Sequence, residues 1–128
     1  MTIYRDEVAR LSKTLYPHDD LTRQIKAAKL YIDKNFSEDI NLDKIAGQAL
    51  VSKFHFIRVF KRYYGHTPNQ YLQEVRIEMA KKILRKGKSI EEVCNAIGFK
   101  SKPSFISLFK KMTGLTPLAY QNKKSNFG

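Results

Sequence analysis

The chain is poor in cysteine and in long hydrophobic runs. Its one cysteine, Cys94, cannot form an internal disulfide, which fits a reducing cytosol, and we expect it to be a small core residue rather than a nucleophile. No apolar run reaches the ~20 residues that a membrane span requires, and none near the N-terminus is long enough for a signal peptide. The sequence therefore predicts a soluble, cytoplasmic protein with no membrane partner.

The residue combinations that most enzymes need are also missing. The histidines His18, His55 and His66 lack the i,i+4 pairing or the cysteine neighbours of a zinc site. There is no glycine-rich phosphate loop and no serine, histidine and aspartate set in a supporting context. The paired acids at 19–20 and 91–92 suit helix N-termini, where the helix dipole favours negative charge. We predict that the protein is not an enzyme and uses no cofactor and no metal.

Acidic residues are scarce where basic residues are concentrated. The 24 lysines and arginines against 12 acids give a formal charge of +12, and the excess lies outside residues 1–20, which sum to −1. No acid occurs from Lys44 to Gln73 or after Glu92. Such a field attracts polyanions, whereas a surface kept basic for solubility would intersperse the two signs. Nucleic acid is therefore the favoured partner.

The clearest positive feature is an internal duplication. The segment from Ser52 to Tyr71 reads SKFHFIRVFKRYYGHTPNQY, and the segment from Ser101 to Tyr120 reads SKPSFISLFKKMTGLTPLAY, with ten of the twenty aligned positions identical. The shared serine at the start and the shared glycine, threonine, proline and tyrosine at the end indicate a small folded unit with defined ends. Two such basic units suggest two contacts with one repetitive, negatively charged partner.

Capping residues mark the starts of several short helices. A side-chain oxygen precedes each apolar periodic segment, at Asp20, Asn41, Thr67, Ser89 and Thr116. Glu92 completes a capping box with Ser89, and proline follows both threonines at the first helical position. The predicted helices run from about 21 to 36, 42 to 49, 52 to 64, 68 to 84, 90 to 97 and 101 to 113, and a further one begins at 117. No alternating β pattern competes, so we predict an all-α fold.

Two pairs of these helices are predicted helix-turn-helix motifs. The pairs are 42–49 with 52–64, and 90–97 with 101–113. The first helices align at an offset of 48 and the second helices at 49, so the second turn is one residue longer. The small residues Ala46 and Cys94 lie where the two helices of each motif would cross closely.

The second helix of each motif has an apolar stripe and a basic outer face. The stripes, predicted to be core, consist of Phe56, Val59, Phe60 and Tyr63 and of Phe105, Leu108, Phe109 and Met112. The outer faces consist of Lys53, Phe54, Ile57, Arg58, Lys61 and Arg62 and of Lys102, Pro103, Ile106, Ser107, Lys110 and Lys111. A face that only aids solubility does not need Phe54, Ile57 or Ile106, whereas in a DNA major groove they can contact thymine methyl groups. An open alternative is that Phe54 and Ile57 pack against a neighbouring helix.

A spaced set of apolar, small and basic residues extends over roughly four-fifths of the chain. It consists of Leu42, Ile45, Ala46, Ser52, His55, Phe56, Arg58, Phe60, Lys61, Gly65, Pro68, Tyr71, Arg76 and Ala80, followed by Ile90, Val93, Ala96, Gly98, Phe99, Phe105, Phe109, Lys110, Gly114, Pro117 and Tyr120. With this set the segment 21–121 resembles the DNA-binding domain of AraC/XylS-type bacterial transcription regulators. The resemblance implies a homeodomain-like tandem of two helix-turn-helix subdomains joined by a long linker helix.

The resemblance also implies roles for the outer faces. The helices at 52–64 and 101–113 would be recognition helices that enter DNA major grooves. The residues implied to contact bases are Phe54, Ile57, Arg58, Lys102, Pro103, Ile106 and Ser107. The basic residues expected to contact phosphates are Lys53, Lys61, Arg62, Lys110 and Lys111. The family further implies regulation of transcription, with activation through RNA polymerase as the usual mode, so the protein would be nucleoid-associated when bound to DNA.

Two features depart from the family pattern. Leu50 stands where the first turn often has glycine, so that turn either avoids a left-handed conformation or carries strain of ~1 kcal/mol. Pro103 and Ser107 replace longer polar side chains on the second recognition helix, which indicates more phosphate contact and less base reading there. Sequence specificity would then be concentrated in the first motif.

The predicted linker helix sets the expected binding mode. Residues 68–84 span about 26 Å as a helix, and successive major grooves on one face of B-DNA lie ~34 Å apart. We expect a monomer to bind an asymmetric double-stranded DNA site of two segments about one turn apart. DNA bending would then seat both helices, at a cost of about a few kcal/mol.

The predicted domain order begins with an amphipathic extension. The segments are the extension at 1–20, a first helix-turn-helix subdomain at 21–66, the linker helix at 67–87, and a second helix-turn-helix subdomain with a basic tail at 88–128. In the extension, Tyr4, Val8, Leu11 and Leu15 recur every three or four residues, and packing on the domain is favoured over a self-association surface. No separate small-molecule effector domain is expected, so control by abundance or by a protein partner is preferred.

Two other functions stay open. A basic helical protein could coat or compact nucleic acid without choosing a sequence, which the charge alone allows. An adaptor could have kept the fold and lost DNA binding. Titration of duplexes of varied sequence at several salt concentrations separates the three, because only a sequence reader keeps a preferred site above the salt-dependent background.

Overall fold

The computed structural model describes residues 18–47 and 51–127, and all regular secondary structure in these ranges is helical. The helices are α1 His18–Asn35, α2 Leu42–Gly47, α3 Lys53–Tyr64, α4 Pro68–Arg85, α5 Ile90–Ile97, α6 Lys102–Thr113 and α7 Pro117–Phe127. The all-α prediction is thus confirmed. None of the described helices is both long and apolar enough to span a membrane. The apolar stripe predicted in the extension 1–20, which consists of Tyr4, Val8, Leu11 and Leu15, and the turn at Leu50 lie outside the described residues.

The chain divides into two units that do not follow the order of the sequence. The first unit takes in Met1–Tyr31 and Asn41–Pro68, and the second takes in Ile32–Ile40 and Asn69–Gly128. Most of helix α1 therefore belongs to the first unit, and its last turn belongs to the second. Each unit contains one predicted helix-turn-helix motif: α2 and α3 in the first, and α5 and α6 in the second.

Three helix starts follow the predicted caps Asn41, Ser89 and Thr116. Ser52 and Ser101, predicted as the first residues of their helices, are instead the N-caps of α3 and α6. Oδ1 of Asn41 accepts the backbone N–H of Lys44 at 2.9 Å, and Oγ of Ser52 accepts that of His55 at 3.1 Å. The same arrangement at the starts of α5, α6 and α7 uses Ser89, Ser101 and Thr116 as acceptors. The predicted capping box is present, because the backbone N–H of Ser89 donates to Glu92 in return. Each bond satisfies an N–H group that the first helical turn leaves unpaired.

Helix α1 begins earlier than predicted. It starts at His18, so Asp20 lies within its first turn and the assignment of Asp20 as an N-cap is wrong. Oδ1 of Asp20 pairs instead with the guanidinium of Arg23 at 2.9 Å. An acidic side chain suits the first turn as well as the cap position, since both lie at the positive end of the helix dipole.

Most of the buried side chains described in the first unit come from α1, α2 and α3. They include Leu21, Ile25, Ala28, Ala46, Phe56, Val59 and Phe60. The ring centroids of Phe60 and Tyr64 lie 4.9 Å apart, and the ammonium of Lys29 lies 5.8 Å from the Tyr64 centroid. The burial of Phe56, Val59 and Phe60 confirms three members of the predicted stripe, and Ala46 is buried as a small residue of α2.

A cluster built from the linker helix and the three helices that follow makes up most of the core of the second unit. Its buried members are Ile77, Ala80, Leu84, Val93, Cys94, Ile97, Phe105, Phe109 and Tyr120. The rings of Phe99, Phe105, Phe109 and Tyr120 form a series with centroid distances of 5.7, 5.7 and 5.5 Å. Cys94 is a buried core residue, as predicted.

Two predicted core residues are instead exposed. Tyr63 is 48% exposed and Met112 is 40% exposed. Both lie in the last turn of their helix, where the helix continues beyond the buried aromatic residues. The hydroxyl of Tyr63 lies 2.8 Å from Oγ1 of Thr22 at the surface, which gives the polar end of the ring a partner. Assigning Tyr63 and Met112 to the core was therefore wrong.

Arg76 joins the linker helix to the residues that follow α1, all within the second unit. Its Nε donates to the carbonyl of Phe36 at 2.7 Å, and a terminal nitrogen donates to the carbonyl of Glu38 at 3.0 Å. Its guanidinium carbon lies 5.6 Å from the ring centroid of Phe99. Burial lowers the pKa of the Arg76 guanidinium, and the charge of Asp39 partly offsets this. One side chain thus satisfies two carbonyls beyond the end of α1.

Gly98 ends α5 where no larger residue fits. Its φ is +84°, and a Cβ at this position would lie 2.5 Å from the carbonyl oxygen of Ser37. Glycine is favoured for both reasons, since it adopts left-handed backbone without a Cβ penalty and allows close approach of another chain segment. The residues after α1 and the turn of the second motif are therefore in direct backbone contact.

Candidate nucleic-acid interface

The two predicted recognition helices, α3 and α6, have the same construction. Each has a serine N-cap, and each ends at a left-handed glycine, Gly65 or Gly114, whose N–H donates to the carbonyl of Lys61 or Lys110 at 2.7 or 2.8 Å. Each buries two phenylalanines four residues apart. Because the caps fix the ends and the aromatic residues fix the buried face, the residues opposite that face are held outward.

On α3 most of the predicted contact residues are exposed. They are Lys53, Phe54, Arg58, Lys61 and Arg62. Phe54 is 72% exposed, so the alternative that it packs against a neighbouring helix fails for this residue. Ile57 is half-buried, so it is neither fully exposed for DNA contact nor fully packed against a neighbouring helix. The α3 face thus combines one unusually exposed aromatic ring with four cations.

On α6 the exposed contact residues are Lys102, Pro103, Ser107, Lys110 and Lys111. Ile106 is the exception, because it is half-buried and packs against the core of the second unit. This face is therefore more polar than that of α3 and has no exposed aromatic side chain. The assignment of both faces to base and phosphate contacts stays a prediction.

Four of the predicted phosphate contacts also have a local role in their helices. Lys61 and Arg62 occupy the last turn of α3, and Lys110 and Lys111 occupy the last turn of α6. Cations are favourable there because the helix C-terminus is the negative end of the dipole. Their positions are thus compatible with helix stabilisation as well as with phosphate binding.

Two carboxylates beside the recognition helices form ion pairs that the sequence analysis does not predict. Nζ of Lys53 lies 2.6 Å from Oδ1 of Asp43, and Nζ of Lys102 lies 3.1 Å from Oε1 of Glu91. The sequence predicts Glu91 only as an acid that suits a helix N-terminus, and it predicts no role for Asp43. The signal was present in the duplication, since Asp43 aligns with Glu91 at the offset of 48 and Lys53 with Lys102 at 49.

Cys94 is buried and belongs to no group of metal ligands in the described part of the chain. Among residues 18–47 and 51–127, no group of histidine, cysteine and acidic residues could hold a metal ion. Burial raises the pKa of the Cys94 thiol, the charge of Lys102 opposes this rise and that of Glu91 adds to it. A thiol with a raised pKa is a poor nucleophile.

Comparison with protein families and curated proteins gives consistent matches. A family model described as a helix-turn-helix domain matches residues 45–123. The bifunctional transcriptional activator/DNA repair enzyme AdaA of Bacillus subtilis is 40% identical over 92 residues, which are 71% of this chain and 44% of that protein. An uncharacterised HTH-type transcriptional regulator of Pseudoalteromonas carrageenovora is 38% identical over 102 residues, which are 80% of this chain and 61% of that protein. The chain thus spans less than two thirds of the length of these relatives.

Solved structures match the fold over most of the chain. An AraC-type DNA-binding-domain-containing regulator from Chromobacterium violaceum superposes with a TM-score of 0.70 at 30% identity, covering 84% of this chain and 96% of the other. The DNA-binding domain of the global transcriptional factor AdpA, solved in complex with a target DNA, gives a TM-score of 0.71 at 25% identity, covering 77% and 90%. The duplicated motif found in the sequence is therefore part of a known tandem fold.

Proposed function

Because the chain belongs to the AraC-type family of helix-turn-helix DNA-binding domains, we propose that it is a sequence-specific DNA-binding regulator of transcription. The observation that supports this most directly is the repeated construction of α3 and α6. Each helix is capped at both ends, anchored by two buried phenylalanines and basic on its outer face. A polyanion with a regular repeat, such as duplex DNA, suits two such faces on one chain.

The two faces would make different kinds of contact. Arg58 can donate two hydrogen bonds to guanine O6 and N7, and the exposed ring of Phe54 can contact thymine methyl groups. The shorter Ser107 and Pro103 on α6 offer less to a base edge, while Lys110 and Lys111 can neutralise phosphates. We therefore expect the first unit to supply most of the sequence preference and the second to supply register and affinity.

The length of α4 suits binding by a single molecule. The helix has 18 residues and is about 27 Å long, and adjacent major grooves on one side of the duplex are ~34 Å apart. We propose that a monomer places one recognition helix in each of two adjacent grooves, with DNA bending at a cost of about 1 to 6 kcal/mol for a smooth bend. The predicted site is asymmetric, because α3 and α6 have different outer residues.

Further expectations concern the effect of DNA binding on transcription. We infer that bound protein acts on transcription through RNA polymerase, with activation as the favoured mode, and that the chain itself performs no catalysis. The relative AdaA is named as both activator and DNA repair enzyme, but the match covers only 44% of it. A bacterial regulator of this kind would work in the cytoplasm, on the nucleoid.

Sequence-independent coating is the second candidate, and the charge of +12 favours it. The two functions differ in how affinity depends on sequence. A coating protein binds all duplexes alike, with one steep salt slope, whereas a sequence reader binds a preferred site typically 10³ to 10⁷ times more tightly than other DNA.

The deciding experiment is selection from randomised duplexes with the purified chain, followed by anisotropy titration of the selected site. We expect two conserved segments about one helical turn apart. A duplex with either segment scrambled should bind more weakly, and binding should show one protein per site. Recovery of no motif, with equal affinity for selected and scrambled duplexes, would favour coating and contradict the proposal.

A further inference from the structure

The same ion pair is present at the start of both recognition helices. Lys53 and Lys102 are the first residues of α3 and α6, and each contacts a carboxylate in the first turn of the preceding helix, at 2.6 Å and 3.1 Å. The two pairs occupy equivalent positions of the duplication, as Asp43 aligns with Glu91 and Lys53 with Lys102. Both pairs lie within their own unit. The contact is repeated in two units whose outer faces differ at Phe54 and Pro103 and at Arg58 and Ser107, and it calls for a shared role.

These carboxylates stand apart from the surrounding charge. No acid follows Asp43 until Glu74, and none follows Glu92 to the end of the chain. Glu92 is engaged in the capping box of α5, which leaves Glu91 as the acid paired to the recognition helix. Each unit thus keeps a negative side chain paired to the first residue of the helix that is proposed to approach a polyanion.

Both pairs are weak enough to exchange. The lysine side chains are each 49% exposed, and the carboxylates 72% and 76% exposed. Ion pairs this exposed contribute little to folding stability. A DNA phosphate can therefore replace the carboxylate as the partner of Lys53, and a phosphate or, at the preferred site, a base edge can replace it as the partner of Lys102. The carboxylate then remains close to the DNA and opposes the nearby phosphates.

Resting on the function proposed above, we propose that Asp43 and Glu91 are positioning residues that set sequence selectivity. Each holds the leading lysine of its recognition helix in the free protein and lowers the affinity for DNA that offers only phosphates. Non-specific binding depends almost wholly on phosphate neutralisation. Repulsion between the carboxylate and the phosphates therefore lowers the non-specific affinity by its full amount. At the preferred site the lysine is already placed for its contact, and base contacts add to the binding.

The test compares Asp43→Asn and Glu91→Gln with the wild-type chain on the selected duplex and on a scrambled duplex, across a range of salt concentrations. We expect each change to raise affinity for the scrambled duplex by about threefold to tenfold and affinity for the selected duplex by less, so that their ratio falls. The salt slope on the scrambled duplex should steepen by about 0.9 for each freed lysine.

Matched controls remove the same charge from an ion pair elsewhere in the same unit. Asp20→Asn removes the partner of Arg23 in the first unit, and Glu78→Gln removes the partner of Lys81 in the second. Their effect on both duplexes should be small and equal. Circular dichroism and thermal melting should show that all four variants are folded. Partial unfolding would weaken binding to both duplexes alike, so it would not change the ratio of the two affinities.

The outcomes separate this inference from the function on which it rests. If Asp43→Asn and Glu91→Gln change the ratio and the slope no more than the controls do, the selectivity role is overturned while a preferred site for the wild-type chain upholds the proposed function. If the wild-type chain has no preferred duplex, the proposed function fails and the inference fails with it. A lower ratio with a steeper slope supports both.

Discussion

The guanidinium of Arg76 on the linker helix donates to the backbone carbonyl of Phe36, at 2.7 Å. A second bond, to the carbonyl of Glu38 at 3.0 Å, joins the segment after α1 to the linker helix within the second unit. Arg76 is half-buried and also lies against the ring of Phe99. The side chain therefore combines hydrogen bonding with packing, and its removal leaves two carbonyls without this donor.

We expect Arg76→Ala to lower the free energy of unfolding by about 1.5 to 3 kcal/mol, since a charged donor to backbone acceptors is lost. Urea denaturation followed by circular dichroism measures this. Arg23→Ala is the control, because its ion pair with Asp20 is exposed and should be worth about 0 to 1 kcal/mol. Equal losses for the two variants would show that the Arg76 bonds add nothing.

Phe60→Ala and Phe109→Ala should each lower the free energy of unfolding by about 3 to 5 kcal/mol, because each ring is fully buried and truncation leaves a cavity. Phe54→Ala on the outer face of α3 is the matched control and should change it by less than about 0.5 kcal/mol. Thermal melts of the three variants test this. A loss for Phe54→Ala as large as for Phe60→Ala would mean that Phe54 is buried in solution.

Gly98→Ala and Gly114→Ala isolate the close approach to Ser37. Both glycines are left-handed, with φ of +84° and +83°, but a Cβ at Gly114 meets nothing within 4 Å. We expect Gly114→Ala to cost about 1 kcal/mol and Gly98→Ala to cost about 1 to 3 kcal/mol more, because its Cβ collides with backbone. Urea titrations that gave equal costs would show that Ser37 moves away freely.

Arg58→Ala should cost about 1 to 3 kcal/mol of binding energy and relax preference at one base position. Selection from randomised duplexes with the variant reveals the position. If the variant weakened every duplex equally, the assignment of Arg58 to a base contact would be wrong.

Lys61→Ala or Lys110→Ala should instead weaken all duplexes similarly and reduce the salt slope by roughly one. Titrations at several salt concentrations measure the slope. A slope unchanged from that of the wild-type chain would show that the lysine stabilises only its own helix C-terminus.

Cys94 gives a pH test of the second unit. Burial raises its pKa, so the folded state holds the thiol proton more firmly than the unfolded state. The associated stability is fully present below about pH 8.5, the ordinary thiol pKa, and is lost as the pH rises through the folded-state value. Denaturation across this range should show the fall in wild-type protein and a smaller fall in Cys94→Ala. An identical pH dependence for both would exclude Cys94 as its source.

Much of the fold was predictable because its signals are local. Asn41, Ser52, Ser89 and Ser101 act within three residues of their own position, so the sequence contains both partners of each cap. The buried phenylalanines were predictable because helical periodicity names a face. Tyr63 and Met112 were misassigned because periodicity does not say where along a helix the core ends.

Contacts between distant segments were beyond the sequence. Neither the bonds of Arg76 to Phe36 and Glu38 nor the approach of Gly98 to Ser37 leaves a local pattern. The ion pair of Asp43 and Lys53 joins residues ten positions apart in the sequence, and only the duplication could have indicated it. The base and phosphate contacts stay predictions, because exposure and charge identify which side chains can reach DNA but not which atoms they meet.

Because residues 32–40 belong to the second unit, a fragment of the chain that contains the whole second unit must include them. A fragment that begins at the linker helix lacks the carbonyls of Phe36 and Glu38, which accept from Arg76, and lacks Ser37, which lies against Gly98. Such a piece should express poorly or melt early, whereas the same piece supplied with a synthetic peptide of residues 32–40 should regain stability. The two halves of this protein are thus interleaved along the chain, and no single cut yields both intact.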